Sequence, residues 1–381
     1  MAAAHFSDEE LISQLANANT QFALDLYKKV ANTADNIFLS PISISAALAM
    51  TRLGARGNTE SEMDQVMKWT KFGDKVHDAF EDYLKVLNAA EVSYTLTMAN
   101  RIFVYNKLKL LDEFVTKTGK HYKADAVVAD FVGKPLEEKK RINEWVEKQT
   151  NGKIKDVISD IDPLTRLILI NAIYFKGTWK QQFDPRDTVK GTFKMLSGKT
   201  TKVDMMILMK SFLMERNDGL KCQVLELPYL QEDISMFILL PFEADGLTFL
   251  EEKLKSDTLN NALRLKRRGL IDITLPKFVL ESDFALQNVL PSLGMVDAFD
   301  VKTADFSGMT GSADLYISQV IHKTFLEVNE EGSEAAAATA VILQMRSMPI
   351  TQPFVADHPF LFVIRDNRAD MILFIGKLGK P

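Results

Sequence analysis

The run Leu167-Ile168-Leu169-Ile170-Asn171-Ala172-Ile173-Tyr174-Phe175 constrains this chain more than any other stretch. It is β-branched, aromatic and short, so it reads as a strand buried on both faces. Strand-like runs follow at 224–227, 234–240, 270–275, 315–320, 320–328, 360–364 and 372–375. Helical stretches at 247–254 and 284–293 interrupt them. Ahead of residue 167 the period is helical. Leu11, Leu15, Phe22, Ala23, Leu26 and Tyr27 recur at three- and four-residue spacing, as do Phe80, Tyr83, Leu84 and Leu87. A short apolar helix is expected over 43–53 after the turn at Ser40-Pro41. Another should open at Thr59, with Glu62 closing a capping box. A further helix over 137–150 should stop at Asn151-Gly152. Helices first and mostly antiparallel strands later predict an α+β fold.

The chain has 381 residues and no low-complexity linker or internal repeat, which favours one domain over 1–381. Its net charge of −5 carries no basic excess for neutralising phosphates, so no nucleic-acid partner is expected. No apolar run nears the ~20 residues of a membrane helix, so no membrane partner is expected either. A single cysteine, Cys222, excludes an internal disulfide framework and a cage of paired cysteines. The start lacks a basic stretch followed by a long apolar run, and no Asn-x-Ser/Thr acceptor is present. As it stands the chain favours the cytoplasm; a leader removed before residue 1 would make it secreted.

Motifs of standard enzymes are missing. His5, His77, His121, His322 and His358 form no HExxH helix, and their spacing suggests no metal cluster. No GxSxG elbow is found. Gly198-Lys199-Thr200 resembles the end of a phosphate loop, but Phe193 stands where its first glycine is needed, so a hairpin turn is expected. The chain is therefore read as a non-enzyme with no cofactor and no catalytic residues of its own.

One segment departs from its surroundings: Glu330-Glu331-Gly332-Ser333-Glu334-Ala335-Ala336-Ala337-Ala338-Thr339-Ala340-Val341-Ile342-Leu343-Gln344-Met345-Arg346-Ser347-Met348-Pro349. Local rules favour an exposed helix, since alanine is the best helix former. Yet strands flank it on both sides, and small side chains slide between strands at little steric cost. As a strand it would place Ser333, Ala335, Ala337, Thr339 and Val341 on one face, with Glu334 and Ala336 on the other.

EEGSEAAAATA resembles the reactive-loop hinge of the serpins. Asn36-Ile37-Phe38-Leu39-Ser40-Pro41-Ile42-Ser43-Ile44 is similar to the family's shutter segment. Asn171-Ala172-Ile173-Tyr174-Phe175-Lys176-Gly177-Thr178-Trp179 is similar to its central-strand signature. Leu275-Pro276-Lys277-Phe278, Asp305-Phe306-Ser307-Gly308, His322-Lys323 and Asp357-His358-Pro359-Phe360 follow in family order. The group most resembled is the intracellular, ovalbumin-like one (clade B). The resemblance implies a fold of about nine helices and three β-sheets, with a reactive loop at about 330–352. It implies a monomeric suicide-substrate inhibitor that holds its target protease as a covalent complex. The loop is cleaved, inserts as a new central strand and carries the acyl-linked protease across the molecule. Glu330 through Arg346 is 17 residues. At ~3.3 Å per residue that reaches ~56 Å, enough to cross a domain.

By the same resemblance the scissile bond is Arg346-Ser347. An arginine there suits a trypsin-like pocket with an acidic base. Leu343, Gln344, Met345 and Met348 would tune the choice of protease. The hinge runs through Glu330, Glu331, Gly332, Ser333, Glu334, Ala335, Ala336, Ala337, Ala338 and Thr339. Glu330 is expected to pair with Lys277 beside Trp179, at the region called the breach; losing that pair should promote polymerisation by loop–sheet linkage. Ser40, Ser43, Asn171 and His322 would form the shutter beneath the central strands. Arg264, Lys266, Arg267 and Arg268 are the densest basic cluster. Two readings stay open for them: a solvated helix end, or a face for a heparin-like glycosaminoglycan. The runner-up function is a non-inhibitory serpin acting as a binding, carrier or chaperone-type protein, against which the alanine run counts.

Overall fold

The computed structural model describes residues 8–88, 94–331 and 350–381. Among them nine α-helices occur: α1 Asp8–Val30, α2 Pro41–Arg52, α3 Gly57–Val66, α4 Lys75–Asn88, α5 Asp112–Tyr122, α6 Pro135–Gln149, α7 Leu247–Lys253, α8 Ser256–Ala262 and α9 Ser307–Thr310. The strands are β1 Ile37–Leu39, β2 Tyr94–Tyr105, β3 Ala126–Ala129, β4 Leu167–Gly177, β5 Val189–Lys194, β6 Thr200–Asn217, β7 Cys222–Pro228, β8 Ile234–Pro241, β9 Arg268–Pro276, β10 Phe278–Ala285, β11 Gln319–Val328, β12 Gln352–Val355, β13 Phe360–Asp366 and β14 Met371–Leu378. The fold is α+β, as the change of period along the chain implies.

β4 lies where its apolar run predicts, inside a five-stranded sheet of order β10-β11-β4-β2-β3. β4 and β11 are parallel, in register from Gln319↔Ile168 to Leu326↔Phe175. A strand's side chains alternate between faces. Ile168, Ile170, Ala172 and Tyr174 therefore join one apolar cluster with Ile142 and Val146 of α6. Leu167, Leu169, Ile173 and Phe175 join the main core on the opposite, inner face, with α1, α2 and α4. That core continues onto the second sheet, of order β1-β14-β13-β8-β7-β6-β9-β12 with β5 on β6. The 18-residue β6 joins two ladders within it. Its early part pairs with β5 and β9, and its last residues pair with β7. The third sheet of the family pattern is thus the β5-β6-β9-β12 portion, hydrogen-bonded through β6 to the rest. Cys222 begins β7 and is fully buried; burial pushes its thiol up to about 12.

Local expectations hold where turn chemistry decides. Gly198 has φ +77° in the hairpin between β5 and β6, where Met195 and Lys199 close the turn. Asn151 and Gly152 both take positive φ after α6. Other expectations are corrected. α3 opens at Gly57, so Thr59 lies inside its first turn and no capping box forms. Thr59 instead accepts from the Asp305 amide, and Glu62 accepts from the amides of Val296 and Asp297. The helix expected over 284–293 is two 3₁₀ turns, Leu286–Asn288 and Leu290–Leu293. Phe284 and Ala285 are held by the ladder to β11, and Pro291 lacks the amide a longer helix needs. The strand expected over 315–320 starts at Gln319. β2, between β4 and the edge strand β3, falls in a region where a helical period is expected.

Candidate functional site

β11 ends at Val328, and the chain reaches the described limit at Glu331 three residues later. Those residues are clamped by the segment that leaves the parallel neighbour, β4. Trp179 donates its indole N–H to the Asn329 carbonyl at 3.0 Å and its amide to the Glu331 carbonyl at 3.3 Å. Phe183 donates its amide to the Glu330 carbonyl at 3.0 Å. The Trp179 ring stacks on Tyr229 with centroids 4.5 Å apart, which fixes the donor.

The Glu330 side chain is only 7 % exposed, so its charge needs compensation. Lys277, between β9 and β10, lies 2.8 Å from one carboxylate oxygen. Thr188 donates to the other at 2.7 Å. Burial raises the carboxyl's pKa, but the hydrogen bonds from Lys277 and Thr188 outweigh it and leave it below the usual glutamate value. The expected pairing of Glu330 with Lys277 beside Trp179 is present. Thr188 was not anticipated; it precedes β5 and approaches only through the fold.

A second polar group crosses the inner face of the same sheet. On β2, β4 and β11 the inner-face positions at one level are Asn100, Asn171 and His322, paired Asn100↔Asn171 and Asn171↔His322. Asn171 and His322 thus replace apolar side chains in the core and must be hydrogen-bonded there, with Asn100 half-buried at its margin. The Ser40 amide donates to His322 Nε2 at 3.0 Å, which puts the ring proton on Nδ1. Nδ1 then donates to Asn171 Oδ1. Asn171 Nδ2 donates to Ser43 Oγ and to Asn100 Oδ1. Ser40 Oγ donates to the Leu373 carbonyl at 2.8 Å, tying the group to β14. Burial lowers the His322 pKa to about 3, although the bond to Asn171 works the other way, so the ring is neutral. Thr324 and Ser282 fasten the β1 backbone at Phe38 just beside this line. Ser40, Ser43, Asn171 and His322 are thus brought together as expected. Asn100 completes them; its signal is an asparagine inside the alternating run of β2.

Gly332, Ser333, Glu334, Ala335, Ala336, Ala337, Ala338, Thr339, Leu343, Gln344, Met345, Arg346, Ser347 and Met348 lie outside the described residues. Arg264, Lys266 and Arg267 are exposed on the link from α8 to β9, past the helix end, and Arg268 is exposed at the start of β9. Glu215 accepts from the amides of Lys266 and Arg267, so an acid sits among these bases. The histidine spacing offers no metal-ligating motif; among the described residues the packing of α4 on α5 nevertheless places Asp78, Glu81 and His121 side by side. Residues on two helices 40 positions apart leave no motif in the sequence.

The two-sheet arrangement is that of solved serpins. The structure matches uncleaved ovalbumin with a TM-score of 0.88 and 30 % identity, over 97 % of this chain and 100 % of that one. It matches Serpin48 of the insect Tenebrio molitor with a TM-score of 0.86 and 34 % identity, over 99 % and 100 %. The family model described as Serpin (serine protease inhibitor) matches residues 17–381, and the chain belongs to the serpin family. It is 42 % identical over 380 residues to the leukocyte elastase inhibitor of Bos taurus, covering 97 % of this chain and 100 % of that protein. To Serpin B6 of Macaca fascicularis it is 41 % identical over 374 residues, covering 96 % and 99 %. It stands with the ovalbumin-like, clade B members that its motifs resemble.

Proposed function

We propose that this serpin inhibits trypsin-like serine proteases as a suicide substrate cleaved at Arg346-Ser347. One observation carries the reading: β4 and β11 are parallel neighbours, and the small-residue segment begins three residues beyond β11. A segment turning back from that end runs antiparallel to both strands. Inserted between them, it replaces one ladder by two. The protease serine attacks the Arg346 carbonyl carbon, the bond to Ser347 breaks, and the Ser347 amine leaves. Arg346 stays on the enzyme as an ester. Insertion then drags that ester away before water cleaves it, so the trap is kinetic.

The contacts described above suit this role. Glu330, Lys277, Thr188 and Trp179 hold the point where the inserting segment starts. His322 and Asn171 bridge β11 and β4 and must part for the gap to open. The bovine relative is named for leukocyte elastase; for this chain Arg346 supports a target whose pocket has an acidic base.

The test mixes the purified protein with trypsin, followed by a denaturing gel and mass spectrometry. A covalent complex stable to denaturant, with a released fragment starting at Ser347, is expected. Complete cleavage at Arg346 with no complex overturns inhibition of this class. It then favours a non-inhibitory binding role.

A further inference from the structure

A separate cluster lies on the flank of the molecule. Asp78, Glu81 and Lys85 fall at i, i+3 and i+7 along α4, hence on one face. The last turn of α5 lays His121 against that face. His121 is 8 % exposed. Its Nδ1 is 3.0 Å from Glu81 Oε2 and 3.7 Å from Asp78 Oδ1. Nδ1 nevertheless makes no hydrogen bond: Asp78 Oδ1 is too distant, and Glu81 Oε2, though near enough, lies off the direction a ring nitrogen requires. A buried ring nitrogen is thus aimed between two carboxylates without being satisfied by either. The three atoms lie within 4.8 Å of one another.

The geometry points to a divalent transition-metal site, of the Zn²⁺ type, formed by Asp78 Oδ1, Glu81 Oε2 and His121 Nδ1, with water completing the shell. One imidazole nitrogen and two carboxylate oxygens suit zinc, whereas calcium and magnesium prefer oxygen alone. Bond lengths of ~2.0–2.2 Å need only a small inward movement of the donors. Asp78 is 56 % exposed and free to make it. Glu81 divides its oxygens: Oε1 takes Lys85 at 2.9 Å, leaving Oε2 to face the histidine. Lys120 stands 3.9 Å from that oxygen but is 61 % exposed and can turn to solvent. His77 is no competitor, since Tyr122 and Arg52 occupy its two nitrogens. A bound ion would join α4, which precedes β2, to α5, which precedes β3.

The experiment treats the full chain with chelator, removes it, and titrates Zn²⁺ by calorimetry. Co²⁺ serves in parallel as a spectroscopic probe, and Ca²⁺ as a control. One equivalent of Zn²⁺ should bind, Co²⁺ should give visible ligand-field bands, and Ca²⁺ should not compete. Zn²⁺ at a hundred times its Kd should favour the folded state over the unfolded about 100-fold. Asp78→Asn and His121→Ala should each weaken Zn²⁺ more than about tenfold. Asp78 is exposed, so its variant keeps the test decisive if His121→Ala misfolds. No saturable binding, or undiminished binding in Asp78→Asn, overturns the site.

Discussion

Glu330 shows how much one residue can carry. Its carboxylate stays charged although nearly enclosed, because Lys277 and Thr188 each satisfy one oxygen. Lys277→Ala should leave that charge without its cation and cost about 1–3 kcal/mol, while Thr188→Ala should cost about 1 kcal/mol. Denaturant midpoints measure both, and the ratio of complex to cleaved product with trypsin should fall alongside. His322 gives a pH dependence. Its pKa, like that of His77, drops from 6.5 to about 3 on burial. Between those values the unfolded chain binds a proton that the folded chain refuses, so stability is full above about pH 6.5 and falls as pH drops toward 3. The Glu330 contribution is present above its ordinary value of 4.5 and is lost as pH falls below that. Urea unfolding from pH 7 to 5 should show the histidine effect first. His322→Gln should flatten the slope in that window by about one proton.

At the scale of elements, the proposed insertion requires the segment and its slot to match. Ser333 would face inward at the start of insertion. Ser333→Arg should therefore shift the reaction from complex toward free, cleaved product several-fold, read as band intensities on a denaturing gel. A variant that traps trypsin as well as the parent chain would remove the hinge role of that face. The sequence made β4, β11 and the α6 stop readable, because each is decided locally by side-chain branching or by a residue suited to positive φ. The Glu330–Lys277 pair was legible only through resemblance, since 53 residues separate the two. β2 escaped although Thr95-Leu96-Thr97-Met98 alternates as a half-buried strand does, because the helical period of the stretches around it is carried across. Asn100 escaped with it. The capping box at Thr59 failed for another reason: the motif's side chains found tertiary partners in Asp305, Val296 and Asp297.

At the scale of the molecule, a sheet that can accept one more strand can accept it from a neighbour. Mild heating of the uncleaved protein should give oligomers, rising with concentration. Cleavage at Arg346 beforehand should suppress them and raise the thermal midpoint; size-exclusion chromatography and calorimetry check both. The insertion proposed above parts β4 from β11 and breaks no ladder of the other sheet. Cys222 belongs to that other sheet, enclosed between β6 and β8. The thiolate is the form that alkylates, and this thiol is both hidden and held protonated. A thiol-reactive dye therefore acts as a clock for one event, the loss of β7 from its neighbours. Dye uptake that lags oligomer formation would mean that chains link while half of each molecule keeps its native packing.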